Sequence, residues 1–212
     1  MLRAAIYGLG RWGQRLLESV RNSDTIRITT GVSRDPARHA ELAKNTGIEI
    51  VDSYARMLRR RDIDAVILAT PHSQHAGEII RAAKAGKHVF VEKPFTLTRA
   101  SAEKAIDACK EAGITLVPGF NRRYAPAFVD MLRRIEAGEI GDVVHVEGQN
   151  SGATGHGLKP GYWRSTRKQA PGGGMTARGI HALDCMIQIA GHVASVYASS
   201  QKRCLPQDID LD

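Results

Sequence analysis

Five short apolar runs, spaced by stretches of helical period, constrain the first 118 residues more than any other feature of this chain. They are Leu2–Tyr7, Ile26–Val32 and residues 65–69 (AVILA), 89–91 and 114–117. Each is of strand length, and an uninterrupted apolar run suits a strand covered on both faces. Residues 12–20 between them set Trp12, Leu16, Leu17 and Val20 on one helical face. Residues 36–45 begin with a proline suited to a first turn. Ser53 is placed to cap a short helix. Residues 73–85 and 99–112 read as helices closed by Gly86 and Gly113. Strands alternating with helices imply βαβ units, hence a doubly wound parallel sheet with right-handed crossovers.

Around Asn121 this rhythm changes, which divides the chain into 1–120, of Rossmann type, and 121–212, a smaller α+β part. The second part reads as a helix over 127–137, a strand over 143–147 and a Gly-rich stretch over 148–174. A helix over 177–190 and a strand over 193–199 follow.

Hydrophobic residues form 42% of the 212, enough for a sizeable core. The net charge of +8 raises the possibility of an anionic partner. Its densest cluster, Arg56, Arg59, Arg60 and Arg61, has no interleaved aromatics to stack on bases, so nucleic acid is not expected as a partner; nor is a membrane. Cys109, Cys185 and Cys204 form no CxxC pair, which fits a reducing compartment. With no targeting segment or span visible, a cytoplasmic location is expected. No metal site is expected.

The first strand runs directly into GLGRWG, residues 8–13, a GxGxxG pattern at the mouth of a helix. There Gly8 makes a tight turn, Gly10 admits a pyrophosphate and Gly13 lets helix and strand pack closely. The helix N-terminus meets the phosphates with its unbonded N–H groups. Arg11 and Trp12, inside this loop, are counted with the cofactor side. About twenty residues on, where a carboxylate would hold a ribose 2′-hydroxyl, stand Ser33 and Arg34. A hydroxyl and a guanidinium suit a 2′-phosphate, so NADP(H) is preferred and NAD(H) possible; the alternative is that Asp35 selects.

HVFVEKP, residues 88–94, delivers Lys93 to the carboxyl end of a strand, the edge where such sheets bind ligands. Beside an oxidised nicotinamide a half-buried lysine would shift toward the range useful for proton transfer. Pro94 restricts its backbone. From spacing alone Lys93 is either that group or an ordinary solvated lysine. In GIHALD, His181 and Asp184 lie three apart on one helical face, either an oriented imidazole or a surface pair.

Taken together, these motifs resemble the Gfo/Idh/MocA family of NAD(P)-dependent sugar and polyol oxidoreductases. GLGRWG, the block over residues 69–98, NRRY at 121–124 and the stretch over 163–184 carry the resemblance. It implies that Lys93 is the catalytic lysine and His181 the substrate-side histidine. It also implies that Thr70, Pro71, His75 and Glu92 line the nicotinamide and ribose end, with Trp163 and Arg164 near cofactor or substrate.

Two departures stand out. Ala177 replaces an aspartate common four residues before the histidine, so that role would pass to Asp184 or to water, or be absent. His72 stands where asparagine is common, among the ribose contacts. Family members also continue beyond this length, so a fragment, or a second domain completed by a partner, is expected. An unfinished sheet predicts self-association through residues 143–150 and 193–203 into a homo-oligomer. The expected function is hydride transfer between NADP(H) and a hydroxyl or carbonyl of a sugar, polyol or related molecule. The alternative is a non-catalytic dinucleotide-binding or regulatory protein, or an inactive fragment of such an enzyme.

Overall fold

A computed structural model describes residues 1–201 of the chain. Its contacts divide it into one unit over Met1–Gly119 and a second that begins at Phe120.

Six parallel strands form the centre of the first unit: β1 (Leu2–Tyr7), β2 (Ile26–Val32), β3 (Glu49–Val51), β4 (Ala65–Leu68), β5 (His88–Val91) and β6 (Leu116–Pro118). Their order is β3-β2-β1-β4-β5-β6, so the winding reverses between β1 and β4. Five helices join them: α1 (Arg11–Ser19), α2 (Ala40–Thr46), α3 (Tyr54–Leu58), α4 (His75–Lys84) and α5 (Arg99–Glu111).

The period-two alternation of side chains explains the apolar runs. Ala4, Ile6, Ala65 and Ile67 face the layer that contains Leu17 of α1. Ala5, Val66, Leu68, Val89 and Val91 face Met57 of α3, Ile79 of α4 and Ala105 of α5. The buried stretches of these central strands are thus apolar on both faces because a helical layer covers each side.

Several expected boundaries move. The helix read over 36–45 is a 3-10 turn (Ala37–His39) followed by α2, and that over 73–85 opens as a 3-10 turn over His72–Gln74. Gly86 and Gly113 do take positive φ just past α4 and α5, and Ser53 Oγ accepts the Arg56 N–H at 3.4 Å. The arginine cluster spends much of its charge locally: Arg56 pairs with Asp52 at 3.0 Å, and Arg60 with Asp62 and Glu49.

The second unit contains α6 (Pro126–Glu136) and α7 (Ile180–Ala190), with short 3-10 turns between and a π turn over Met175–Gly179 leading into α7. The strands expected over 143–147 and 193–199 do not form. A strand needs a hydrogen-bonded neighbour, and no ladder pairs with these segments among the described residues. Val144, Val196 and Tyr197 there are exposed. Residues 202 and 203 of the expected self-association surface, and Cys204, lie outside the described residues.

Candidate functional site

The carboxyl ends of β1, β2, β4 and β5 carry most of the residues singled out from the sequence. Gly8 follows β1 with φ +104°, and a Cβ there would come within 2.9 Å of Thr70 N and collide with the Ala69 carbonyl. A side chain at Gly13 would strike the Gly8 carbonyl. A Cβ on Gly10 would instead meet no atom within 4 Å, so the side left open is the one a ligand can use. Gly10 caps α1 without a side-chain acceptor, and no acidic residue sits in the first turn. Those N–H groups and the positive end of the helix dipole therefore suit an anion. Gln14 Nε2 braces the loop on Leu9 O at 2.9 Å. Arg11 is exposed; Trp12 is half-buried with Arg15 6.0 Å from its ring centre. These features fit a dinucleotide.

At the end of β2 the Ser33 hydroxyl donates to Asp35 O at 3.0 Å and accepts the Asp35 N–H at 3.2 Å. The turn leaves Arg34 exposed, and the Asp35 carboxylate accepts the Arg38 N–H at 3.3 Å, capping the next turn.

Beyond β4, Thr70 is buried. Its hydroxyl donates to Glu78 Oε2 on α4. His75 is fully buried, with Nε2 3.0 Å from Thr70 O and Nδ1 2.9 Å from Pro94 O. Expected to line the ligand side, His75 sets its two ring nitrogens against backbone carbonyls of the loops that follow β4 and β5, and as a neutral imidazole it donates to one of them. The carbonyls favour a proton on each nitrogen, but burial outweighs them and lowers the pKa from its ordinary value. His72 is buried 6.0 Å from the His75 ring, and Pro71 is half-buried.

Glu92 follows β5 and is buried; its N–H bonds Leu68 O at 2.9 Å. Its Oε2 accepts the N–H of Lys93 at 3.2 Å. Lys93 is half-buried, and the Lys93–Pro94 peptide is cis. Gly8, Thr70 and Lys93 thus stand at the ends of the neighbouring strands β1, β4 and β5.

His181 in the second unit lies on α7, its ring edge-on to Phe120 at 6.4 Å. Asp184, expected to share in catalysis, is buried and gripped by Arg123: Nε donates to Oδ2 at 2.8 Å and Nη2 to Oδ1 at 2.5 Å. An arginine thus spans both oxygens of Asp184, a contact that suits a structural anchor. Ala177 falls in the π turn before α7. The Arg164 guanidinium stacks 4.6 Å from the Trp163 ring centre.

Two residues escaped the sequence reading, Glu78 and Arg123. Glu78 was discoverable: His75, Glu78, Ile79, Ala82 and Ala83 are the buried stripe of α4 at helical spacing. Burial pushes the Glu78 carboxyl up to about 7, against the opposing pull of the Thr70 hydroxyl and Arg81.

Residues 2–120 match the model of the oxidoreductase family with an NAD-binding Rossmann fold, and 128–212 that of the GFO/IDH/MocA C-terminal domain. The chain is 39% identical over 153 residues to scyllo-inositol 2-dehydrogenase (NAD(+)) of Bacillus subtilis (strain 168), covering 69% of this chain and 44% of that protein. A putative NADPH-dependent oxidoreductase from Desulfitobacterium hafniense superposes with TM-score 0.84 at 30% identity, over 90% of this chain and 55% of that one. Aldose-aldose oxidoreductase from Caulobacter crescentus gives TM-score 0.77 at 30% identity, over 90% and 58%. The chain spans about half the length of the curated relatives it matches.

Proposed function

The chain belongs to the Gfo/Idh/MocA oxidoreductase family, and from that premise we propose that it oxidises or reduces a hydroxyl or carbonyl of a sugar, polyol or related small molecule with NAD(P). The observation that carries this reading is the set of Gly8, Thr70 and Lys93 at the ends of three neighbouring strands. When bound, the dinucleotide supplies hydride chemistry. The chain's own residues hold and orient: the Gly8–Gly13 turn admits the pyrophosphate, and the α1 N–H groups bind it. Lys93 Nζ takes or returns the hydroxyl proton, and the Glu92 carboxylate fixes the backbone N–H of the residue that carries it. His181 belongs to the substrate side, with Arg164 near cofactor or substrate.

Exposed Arg34 beside Ser33 favours NADP(H) over NAD(H), since a guanidinium pairs bidentately with a 2′-phosphate. A cytoplasmic enzyme that self-associates completes the proposal; Val144 and Tyr197, 93% and 95% exposed, are the apolar surface for it. Light scattering that shows a monomer at micromolar concentration would refute the assembly.

A screen of inositols, aldoses and their keto forms with NADP(H) and NAD(H), read by nicotinamide absorbance, tests the activity. The second reading, a non-catalytic dinucleotide-binding protein, is favoured by Ala177. Tight cofactor binding with no turnover across the screen would establish it instead.

A further inference from the structure

Thr70 is where three parts of the first unit's carboxyl edge meet. Its N–H and the Ala69 carbonyl crowd Gly8 of the dinucleotide loop, its carbonyl faces His75, and its hydroxyl donates to Glu78. Glu78 is 5% exposed, on a stripe of α4 otherwise filled by Ile79, Ala82 and Ala83. An acid on such a stripe is costly when ionised, so its place there calls for a use. It borders a cleft of about 320 Å³ lined also by Tyr7, Ser73, Gln74, Gly77 and Arg81.

The titratable and charged groups facing Glu78 come from three elements. Tyr54 of α3 donates its hydroxyl to Glu78 O at 3.0 Å; Arg81 of α4 lies 4.6 Å from the Tyr54 ring centre; Tyr7 of β1 stacks on Tyr54 at 4.8 Å. His75 stands one turn earlier on α4. Burial keeps the Tyr54 hydroxyl protonated, so Arg81 is the charge able to answer an ionised Glu78.

We infer that Glu78 is a positioning residue: through the Thr70 hydroxyl its carboxyl sets the Ala69–Thr70 backbone against which the dinucleotide loop closes, so that cofactor affinity depends on whether the carboxyl carries its proton. The inference rests on the cofactor reading proposed above. Ionised, Glu78 holds the Thr70 hydroxyl by a charge-assisted hydrogen bond, the direction in which that hydroxyl pulls the carboxyl. Protonated, it is a weaker, neutral acceptor for that hydroxyl, and the support beneath Gly8 loosens. The proton leaves across neutrality, because burial raises the carboxyl from 4.5 to about 7.

NADH is the probe, since the 2′-phosphate of NADPH itself titrates at about 6. Its dissociation constant is measured by nicotinamide fluorescence between pH ~6 and ~8.5, with the Glu78 carboxyl followed in parallel by carbon-13 NMR. Affinity of the unmodified protein should rise on the order of tenfold as the carboxyl ionises. Glu78→Gln should hold its low-pH affinity throughout. Thr70→Val should also lose the pH dependence, and its Glu78 should titrate higher still. A slope that persists in Glu78→Gln, or a Glu78 carboxyl that titrates in the usual carboxylate range, overturns the inference while leaving cofactor binding intact. Absence of NADH binding by all three proteins at every pH overturns the cofactor reading, and this inference with it.

Discussion

Arg123 closes on Asp184 with both arms of its guanidinium, Nε to Oδ2 at 2.8 Å and Nη2 to Oδ1 at 2.5 Å. The pair ties the turn over Asn121–Tyr124 to α7, on which His181 stands one turn from Asp184. The Asp184 side chain is 9% exposed and that of Arg123 39%, so the carboxylate bears most of the burial. Asp184→Asn keeps the shape and removes the charge, and should destabilise the protein by about 1.5–3 kcal/mol. Chemical denaturation measures this. A stability equal to that of the unmodified protein would return Asp184 to the pool of candidate acid–base groups.

His75 makes a different demand on pH. Burial, the largest influence, holds its pKa below the ordinary 6.5, so the unfolded chain binds a proton more readily than the folded one. The stability it lends is present above about pH 6.5 and declines as pH falls through the folded-state value. His75→Ala should cost about 2–4 kcal/mol at pH 7.5, from a cavity and a carbonyl left without its donor. The difference should narrow toward pH ~5, which denaturation series at several pH values can follow. A gap that widens on acidification would mean that the doubly hydrogen-bonded imidazolium is the folded form.

The Rossmann architecture was readable because its signals are local and repeated: apolar runs of strand length, glycines at helix ends, and a GxGxxG turn directly after a strand. What escaped depended on partners. β3 is three residues long, without periodicity, and is held by its ladder with β2. The runs over 143–147 and 193–199 have strand composition but no ladder, and composition alone does not fix a strand. The position of Glu92 and Lys93 just past a strand was legible, because an apolar run there gives way to charge. His75 was legible as a feature, but sequence shows a histidine at a helix start and not the Pro94 carbonyl that waits nineteen residues on.

Cofactor choice rests on Arg34. If its guanidinium meets a 2′-phosphate, NADPH should bind more tightly than NADH, and Arg34→Ala should erase about 1.5–3 kcal/mol of that preference. Calorimetric titration with both cofactors decides it. Equal affinities in the unmodified protein would exclude the role, and would pass the selection to Asp35, whose carboxylate caps the turn at Arg38.

Lys93 decides the chemistry. Its N–H is bonded to Glu92 Oε2, and Pro94 O is bonded to His75, so the backbone on both sides is pinned whatever side chain stands there. Lys93→Met keeps much of the apolar stem, and fold and NAD(P)H affinity should survive. The amine is lost, and with it the proton transfer, so kcat should fall by ~10²–10⁴-fold. His181→Ala should raise KM as well as lower kcat, because its proposed place is on the substrate. Both variants are best compared by steady-state kinetics on whichever substrate the screen finds. Should Lys93→Met leave kcat unchanged, the lysine would be a solvated strand end, and the proton would have to travel through another group on the carboxyl edge.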